Sequence, residues 1–277
     1  MAKILIVGCG AIGSELAGVL SAQGHDVTGL RRTPTSGLVN YVAADIGSSA
    51  DLADLDADFA QAFFIVSPDR RDEQSYRAVY ETGLNNLLAK LPETQWLMVS
   101  STSVYGQNQG EWVDEDSAAE PATITSRLIR QAERQLIAAN PANIVVRFSG
   151  IYGPGRESLL RQAKQTPAIQ QSPPYFTNRI HQHDCVGVLS FLLQQRLSGN
   201  ALAQCYLASD DDPAPLWEVM TWLAGQLHCP PPTLKAVAAE AGMNKRCNNA
   251  RLKALGYRFR YPGYKDGYPE LIGAQDD

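Results

Sequence analysis

The sequence has little of what several protein classes require. Among 277 residues there are only five cysteines, Cys9, Cys185, Cys205, Cys229 and Cys247, an odd number spread widely with no C-x-x-C pair. That spacing indicates neither a disulfide framework nor a zinc site and suits free thiols in a reducing cytoplasm. No apolar run approaches the ~18 residues a membrane span needs. The formal net charge is -5 and no basic run is present, so there is no electrostatic footprint for nucleic acid. The amino terminus enters an apolar run almost at once, with no basic region ahead of it, so neither a signal nor a transit peptide is expected. These absences leave a cytoplasmic protein whose partner is a small molecule.

What is present is organised around Lys3 to Gly13, KILIVGCGAIG. Ile4 to Val7 is too short for a helix and rich in branched residues, as a buried parallel strand is. Gly8, Gly10 and Gly13 follow as G-x-G-x-x-G, and Ala11 to Gln23 continues with apolar residues at helical spacing. Gly8 permits the tight turn, Gly10 leaves the backbone open to a pyrophosphate, and Gly13 lets the helix approach the sheet. The backbone at Ala11, Ile12 and Gly13 opens that helix, where unpaired N–H groups suit an anion. Cys9, inside this loop, is the thiol best placed to report on a ligand; as a small filler residue it needs no such role.

The next strand, Asp26 to Leu30, ends at Arg31 and Arg32, about 20 residues beyond the glycines. An acidic residue here would hold a ribose 2'-hydroxyl, whereas arginine suits a 2'-phosphate. The expectation is therefore NADP(H) over NAD(H), with Arg31 ahead of Arg32. Val39 to Ala43 reads as a third strand closed by Asp45 and Ile46, and Leu52, Leu55 and Phe59 as a short helix. Ala62 to Val66 is a fourth strand, followed at Ser67 by a turn over which a cofactor would pass. Trp96 to Ser100 is a fifth. Strand and helix alternate throughout, which predicts an α/β fold with a doubly wound, mostly parallel sheet of Rossmann type.

Beyond this, Gln107 to Pro121 reads as a polar loop, Ala122 to Asn140 as a helix, and Ile144 to Phe148 as a buried strand. Asp184 is placed to cap a helix over Val186 to Leu197. Ala203 to Ala208 returns to the main sheet, and Lys245 to Leu255 forms a last short helix. Residues 1–154 then make a dinucleotide-binding domain to which 178–210 return. Residues 155–177 and 211–277 make a smaller, discontinuous substrate domain.

Four stretches together carry a family resemblance: the glycine loop, Ser100 to Gly106, Arg147 to Gly155, and Asn178 to His181 with Asp184. With them the chain resembles the extended short-chain dehydrogenase/reductases, the group of NAD-dependent epimerases and dehydratases, and its Cys247 to Pro262 segment resembles an atypical branch of that group. The resemblance implies a Rossmann core carrying a dinucleotide, with Gly8, Gly10, Ala11, Ile12, Gly13, Arg31, Arg32, Asp45 and Ser67 on the cofactor. It also implies a carboxyl-terminal substrate domain and a homodimer. Family members pair a serine after the fifth strand with tyrosine and lysine separated by three residues; the tyrosinate accepts a proton while hydride leaves, and the ammonium lowers the tyrosine pKa. Ser101 matches the serine, with Thr102 beside it.

The other two positions carry Thr125 and Ile129. A threonine hydroxyl is a far poorer base than a tuned phenol, and isoleucine supplies no charge. Arg127 and Arg130, nearby, suit a phosphate or carboxylate better than proton transfer. A relocated acid would come from Tyr105, Tyr152 or His181, with either Tyr152 or His181 exchanging the substrate's proton; His181 lies in a crevice-lining segment and histidine exchanges protons near neutrality. His181, His183 and Asp184 lack a fourth partner, so no metal is expected. Two functions follow, ranked ahead of a scaffold with an eroded dinucleotide site. One is an NADP(H)-dependent oxidoreductase or epimerase-like enzyme acting on a small polar metabolite or nucleotide-sugar; the other is a non-catalytic or redox-sensing NADP(H)-binding protein.

Overall fold

A computed structural model of the chain describes residues 1–33, 37, 39–236 and 244–274. The strand predicted at Ile4 is β1, Lys3–Val7, and Ile4 to Val7 have no exposed surface. Burying each such side chain contributes about 1.5–3 kcal/mol, which fixes β1 at the centre of the sheet. It pairs in parallel with β2 (Asp26–Arg31), Lys3 facing Asp26, and with β4 (Gln61–Phe64), Ile4 facing Gln61. β2 pairs on with β3 (Asn40–Ala43), and β4 with β5 (Gln95–Ser101), again in parallel.

Strands Ile144–Phe148 and Cys205–Ala208 extend the sheet past β5, giving seven strands in the order Cys205–Ala208, Ile144–Phe148, β5, β4, β1, β2, β3. The chain thus winds outward from β1 to β3 and restarts on the other side at β4. Ligands of such sheets bind where the winding reverses, beyond the carboxyl ends of the strands. Here that place is the Gly8 to Gly13 turn, between the ends of β1 and β4.

Four local expectations give way to tertiary structure. Residues 52–59 form successive turns instead of a helix, with Ala53 N–H on Ala50 O and Leu55 N–H on Leu52 O. Leu52, Leu55 and Phe59 are nonetheless buried, so turns bury the same apolar set. The polar segment after Gln107 contains a strand, Glu111–Val113, which pairs in parallel with Lys245–Cys247. The last predicted helix accordingly shrinks to Ala250–Ala254. Asp184 lies inside the first turn of helix Gln182–Leu197, because strand Arg179–His181 runs straight into it and leaves no cap position at Asp184.

The chain divides into two compact units, 1–104 with 119–147 and 186–206, and 105–118 with 148–185 and 207–277. Unit 1 carries the large sheet and helix α1, Ala11–Ala22. Unit 2 is assembled from two-stranded ladders, among them Gly150–Tyr152 with Arg179–His181, around a core that includes Leu160, Met220, Leu223 and Tyr268. Among the described residues no helix is long and apolar enough to cross a membrane.

Candidate functional site

In unit 1 the glycine loop has the geometry its spacing implies. Gly8 sits at φ +96°, where side chains are strained, and a Cβ there would lie 2.4 Å from the Ile65 carbonyl oxygen. A Cβ on Gly13 would lie 2.2 Å from the Gly8 carbonyl oxygen, so α1 packs directly on the loop. Gly10 differs: nothing stands within 4 Å of where its Cβ would be. Gly10 is also the residue preceding α1, and no side chain caps that end. Gly10 and Ala11 are exposed, while Ile12 and Gly13 are buried. Uncapped N–H groups beside open space fit the pyrophosphate of a dinucleotide.

Cys9 turns away from that opening. Its Sγ lies 3.4 Å from Ile6 O, and burial pushes its pKa up to about 11. The thiol is filler inside the sheet. Asp45 is exposed, with Oδ1 accepting the Gly47 N–H at 2.8 Å and its own N–H on Asp51 Oδ2 at 3.0 Å. Ser67, past β4, is exposed.

Arg31 and Arg32 are held within the protein. Arg31 Nη1 donates to Cys9 O at 3.1 Å, bracing the glycine loop. Arg32 makes a two-pronged pair with Asp69, both contacts 2.7 Å, and the two partners shift each other toward their charged forms. Sequence shows two basic residues at a strand end; it does not show Asp69, 37 residues on, supplying the counter-charge.

Ser101 closes β5, half-buried, with Oγ accepting the Ser103 N–H at 3.1 Å. Thr102 starts a short 3-10 turn and is buried. Thr125 and Ile129 lie on helix Ile124–Ala139, whose first turn is capped by the Thr123 hydroxyl accepting the Ser126 N–H. Thr125 Oγ1 is 3.2 Å from Thr123 Oγ1, and Ile129 is buried in the helix's apolar stripe. Arg127 is exposed, with Nη1 on Ala122 O.

Arg130 joins a network that sequence reading missed. Glu133, 1% exposed, accepts Ser100 Oγ and Arg147 Nε on Oε1, at 2.5 and 2.9 Å, and Arg147 Nη2 and Arg130 Nη1 on Oε2, both at 2.7 Å. The network ties the helix to the residue just before Ser101. Its signal was legible: Glu133 interrupts an apolar helix stripe and Arg147 an apolar strand, and a charge buried in either place needs a partner.

In unit 2, Tyr152 and His181 face each other across the Gly150–Tyr152 and Arg179–His181 ladder, rings edge to face at 5.1 Å. Tyr152 stacks on Tyr268 at 4.6 Å, and His181 lies 4.0 Å from the Tyr261 ring. Tyr152 is 3% and His181 1% exposed. A Cβ on Gly267 would fall 2.2 Å from the Tyr152 hydroxyl, so the ring fits only because residue 267 has no side chain. Burial and nearby Asp210 raise the Tyr152 pKa, while burial and the neighbouring His183 lower that of His181 to about 4. A phenol harder to ionise and an imidazole neutral at physiological pH, both enclosed by rings, have the setting of packing groups. Tyr105 is likewise buried.

Asp184 organises the carboxyl-terminal segment. Its Oδ1 accepts Tyr257 Oη and the Arg260 N–H, at 2.9 and 2.8 Å, and Oδ2 accepts the Tyr261 N–H at 3.0 Å. Among the described residues no cluster of His, Cys, Asp and Glu suits a metal.

Comparison with known proteins follows the same outline. A model of the NAD dependent epimerase/dehydratase family matches residues 4–197. Protein YeeZ of Escherichia coli K12 is 31% identical over 278 residues, covering 95% of this chain and 97% of YeeZ. A Methylobacillus flagellatus structure, named for the NAD-dependent epimerases/dehydratases on inference, is 37% identical with a TM-score of 0.85, covering 100% of this chain and 99% of that one. Thermus thermophilus UDP-glucose 4-epimerase, solved with NAD, shares the fold at 17% identity and a TM-score of 0.80, covering 98% of each chain.

MoeE5 and a Bacillus anthracis dTDP-glucose 4,6-dehydratase were also solved with NAD. The expected preference for NADP(H) is corrected on these findings: these three fold relatives carry NAD, and the arginines read as 2'-phosphate ligands are engaged by Cys9 O and Asp69. A reversing parallel sheet, an open glycine turn at the reversal and a family model matched across both make this chain a member of the NAD dependent epimerase/dehydratase family.

Proposed function

We propose that the chain is an NAD(H)-dependent oxidoreductase or epimerase-like enzyme acting on a small polar metabolite, with nucleotide-sugars the leading class. The observation that carries this reading is Gly10, open to solvent at the uncapped start of α1. Gly8, Gly10, Ala11, Ile12 and Gly13 would hold the pyrophosphate through backbone N–H groups. Asp45 and Ser67 would border the remainder of the dinucleotide, and Arg31 would stiffen the loop through Cys9 O. When bound, the nicotinamide supplies a hydride acceptor or donor.

Ser101 would orient the substrate oxygen, and the Glu133 network would hold Ser101 in place through Ser100. The UDP-glucose and dTDP-glucose named for the solved fold relatives support the nucleotide-sugar class. In this reading Tyr152 and His181 pack unit 2 and leave proton transfer to the substrate or solvent.

A second reading, a non-catalytic or redox-sensing NAD(H)-binding protein, is favoured by Thr125 and Ile129 at the positions where the resembled family carries tyrosine and lysine. Calorimetric titration with NADH and NAD+ tests what both readings share. Gly10→Ala adds a methyl group to open space, so it should keep the native melting temperature and weaken dinucleotide binding at least about tenfold, about 1.4 kcal/mol. Native affinity in that variant, or no binding by the native chain, overturns both readings. Hydride exchange between labelled NADH and a panel of nucleotide-sugars then separates them: turnover lost in Ser101→Ala supports the enzyme, and none across the panel supports the binding protein.

A further inference from the structure

Strand Lys245–Cys247 pairs in parallel with Glu111–Val113, Lys245 facing Glu111 in register. Side chains alternate along a strand. The Arg246 guanidinium lies 5.0 Å from the Trp112 ring centre and 4.8 Å from that of Phe176, with Nε donating to Gly110 O. Lys245 and Cys247 therefore share the opposite face, and both are buried, at 3% and 2% exposure.

That position is held firmly. The Asn178 side chain spans the strand, Nδ2 donating to Lys245 O at 2.8 Å and Oδ1 accepting the Cys247 N–H at 2.7 Å. Just before it, Asn244 Oδ1 accepts the Phe176 N–H and Asn244 O accepts the Gly110 N–H, both at 2.8 Å.

Yet among the described residues no hydrogen bond or ion pair reaches the Lys245 ammonium. Glu111, opposite it in the ladder, turns Oε2 to the Gln109 N–H. Three other cations of unit 2 are matched: Arg179 lies near Asp210 and donates to Asp212 O, Arg251 pairs with Asp116, and Lys253 with Asp211. Burial lowers the Lys245 pKa, and the neighbouring Cys247 acts against that shift. A buried strand position is better filled by valine or isoleucine than by a lysine whose ammonium has no partner among the described residues. Lysine there makes sense when a ligand brings the missing negative charge.

We propose that Lys245 is the anion-binding group of unit 2, receiving a carboxylate or phosphate oxygen of a small-molecule ligand. This goes beyond the reading of the chain as an enzyme for a small polar metabolite and stands apart from it. The anion site itself depends only on Lys245 and its strand. Electrostatics gives the sign: an anion bound to Nζ stabilises the charged amine and raises its pKa, so binding takes up a proton when the free amine is partly neutral.

The test uses the full chain labelled with 13Cε-lysine, titrated with inorganic phosphate and, separately, with acetate, against chloride at equal ionic strength. The Lys245 resonance is identified by its disappearance in Lys245→Arg and Lys245→Met. It should titrate below the ordinary lysine range without the probes and move upward when one saturates the site. A response to phosphate alone assigns a phosphate-bearing ligand, and one to acetate a carboxylate. By calorimetry, Lys245→Arg should keep probe binding within about tenfold and Lys245→Met should abolish it. A resonance indifferent to both anions, or undiminished binding in Lys245→Met, overturns the proposal; if the methionine variant fails to fold, the native titration and Lys245→Arg still decide. NADH titrated without either probe separates failure here from failure of the dinucleotide reading.

Discussion

The glycine loop of unit 1 and the ring cluster of unit 2 both contain polar groups without protein partners, and they mean opposite things. At Gly10 and Ala11 the unpaired groups are backbone N–H donors at a helix end, beside open space. At Tyr152 and His181 the atoms without a partner, Oη and Nε2, are enclosed by Tyr268, Tyr261 and Gly267. Exposed donors at negligible steric cost are available to a ligand. Enclosed polar atoms among rings are where packing has outweighed a hydrogen bond, whose absence costs about 1–3 kcal/mol. Histidine and tyrosine in a family motif are therefore weaker evidence of chemistry than glycine with nothing in front of it.

The largest test of that contrast is acid. His181 is pushed down from 6.5 to about 4 by burial and His183, so the unfolded chain binds the extra proton first. Its contribution is fully present above about pH 6.5 and is lost as pH falls toward 4, by up to about 3 kcal/mol. Denaturant melts across pH 4 to 7 should show this slope in the native protein and a flatter one in His181→Phe. Equal slopes would mean that His181 is not enclosed.

Next in size are two alanines that add the same methyl group to the two regions. Gly8→Ala meets the Ile65 carbonyl at a positive φ and should lower NADH affinity by at least about 100-fold, about 2.7 kcal/mol, on a titration curve. Gly267→Ala meets the Tyr152 hydroxyl and should lower stability by about 1–3 kcal/mol while NADH affinity stays native. If Gly267→Ala weakened NADH binding as much as Gly8→Ala, the contrast would collapse. The smallest effect belongs to Arg32→Ala. Its pair with Asp69 is well over half exposed on both sides, so stability should change by less than about 1 kcal/mol and preference for NADH over NADPH should not fall. A large loss of NADPH binding in that variant would restore the 2'-phosphate role.

Most of the sheet was legible because its signals are short-range. Ile4 to Val7, Ala62 to Phe64 and Ile144 to Phe148 are apolar runs of strand length, and G-x-G-x-x-G between a strand and a helix has a mechanism of its own. Illegible were features that depend on a distant partner. Glu111–Val113 looked like a polar loop because its ladder partner is Lys245–Cys247, and Asp184 looked like a cap because Tyr257, Arg260 and Tyr261 arrive from 73 to 77 residues away.

By itself, then, the sequence determined the α/β class and the glycine turn, since each is a matter of local backbone freedom or residue chemistry. Tertiary structure alone decided which charges are already answered: Arg31 by Cys9 O, Arg32 by Asp69, Arg147 and Arg130 by Glu133, and Lys245 by no described residue. The reason is physical. The worth of a charge is set by the partners and the water around it, and only the folded chain brings those together.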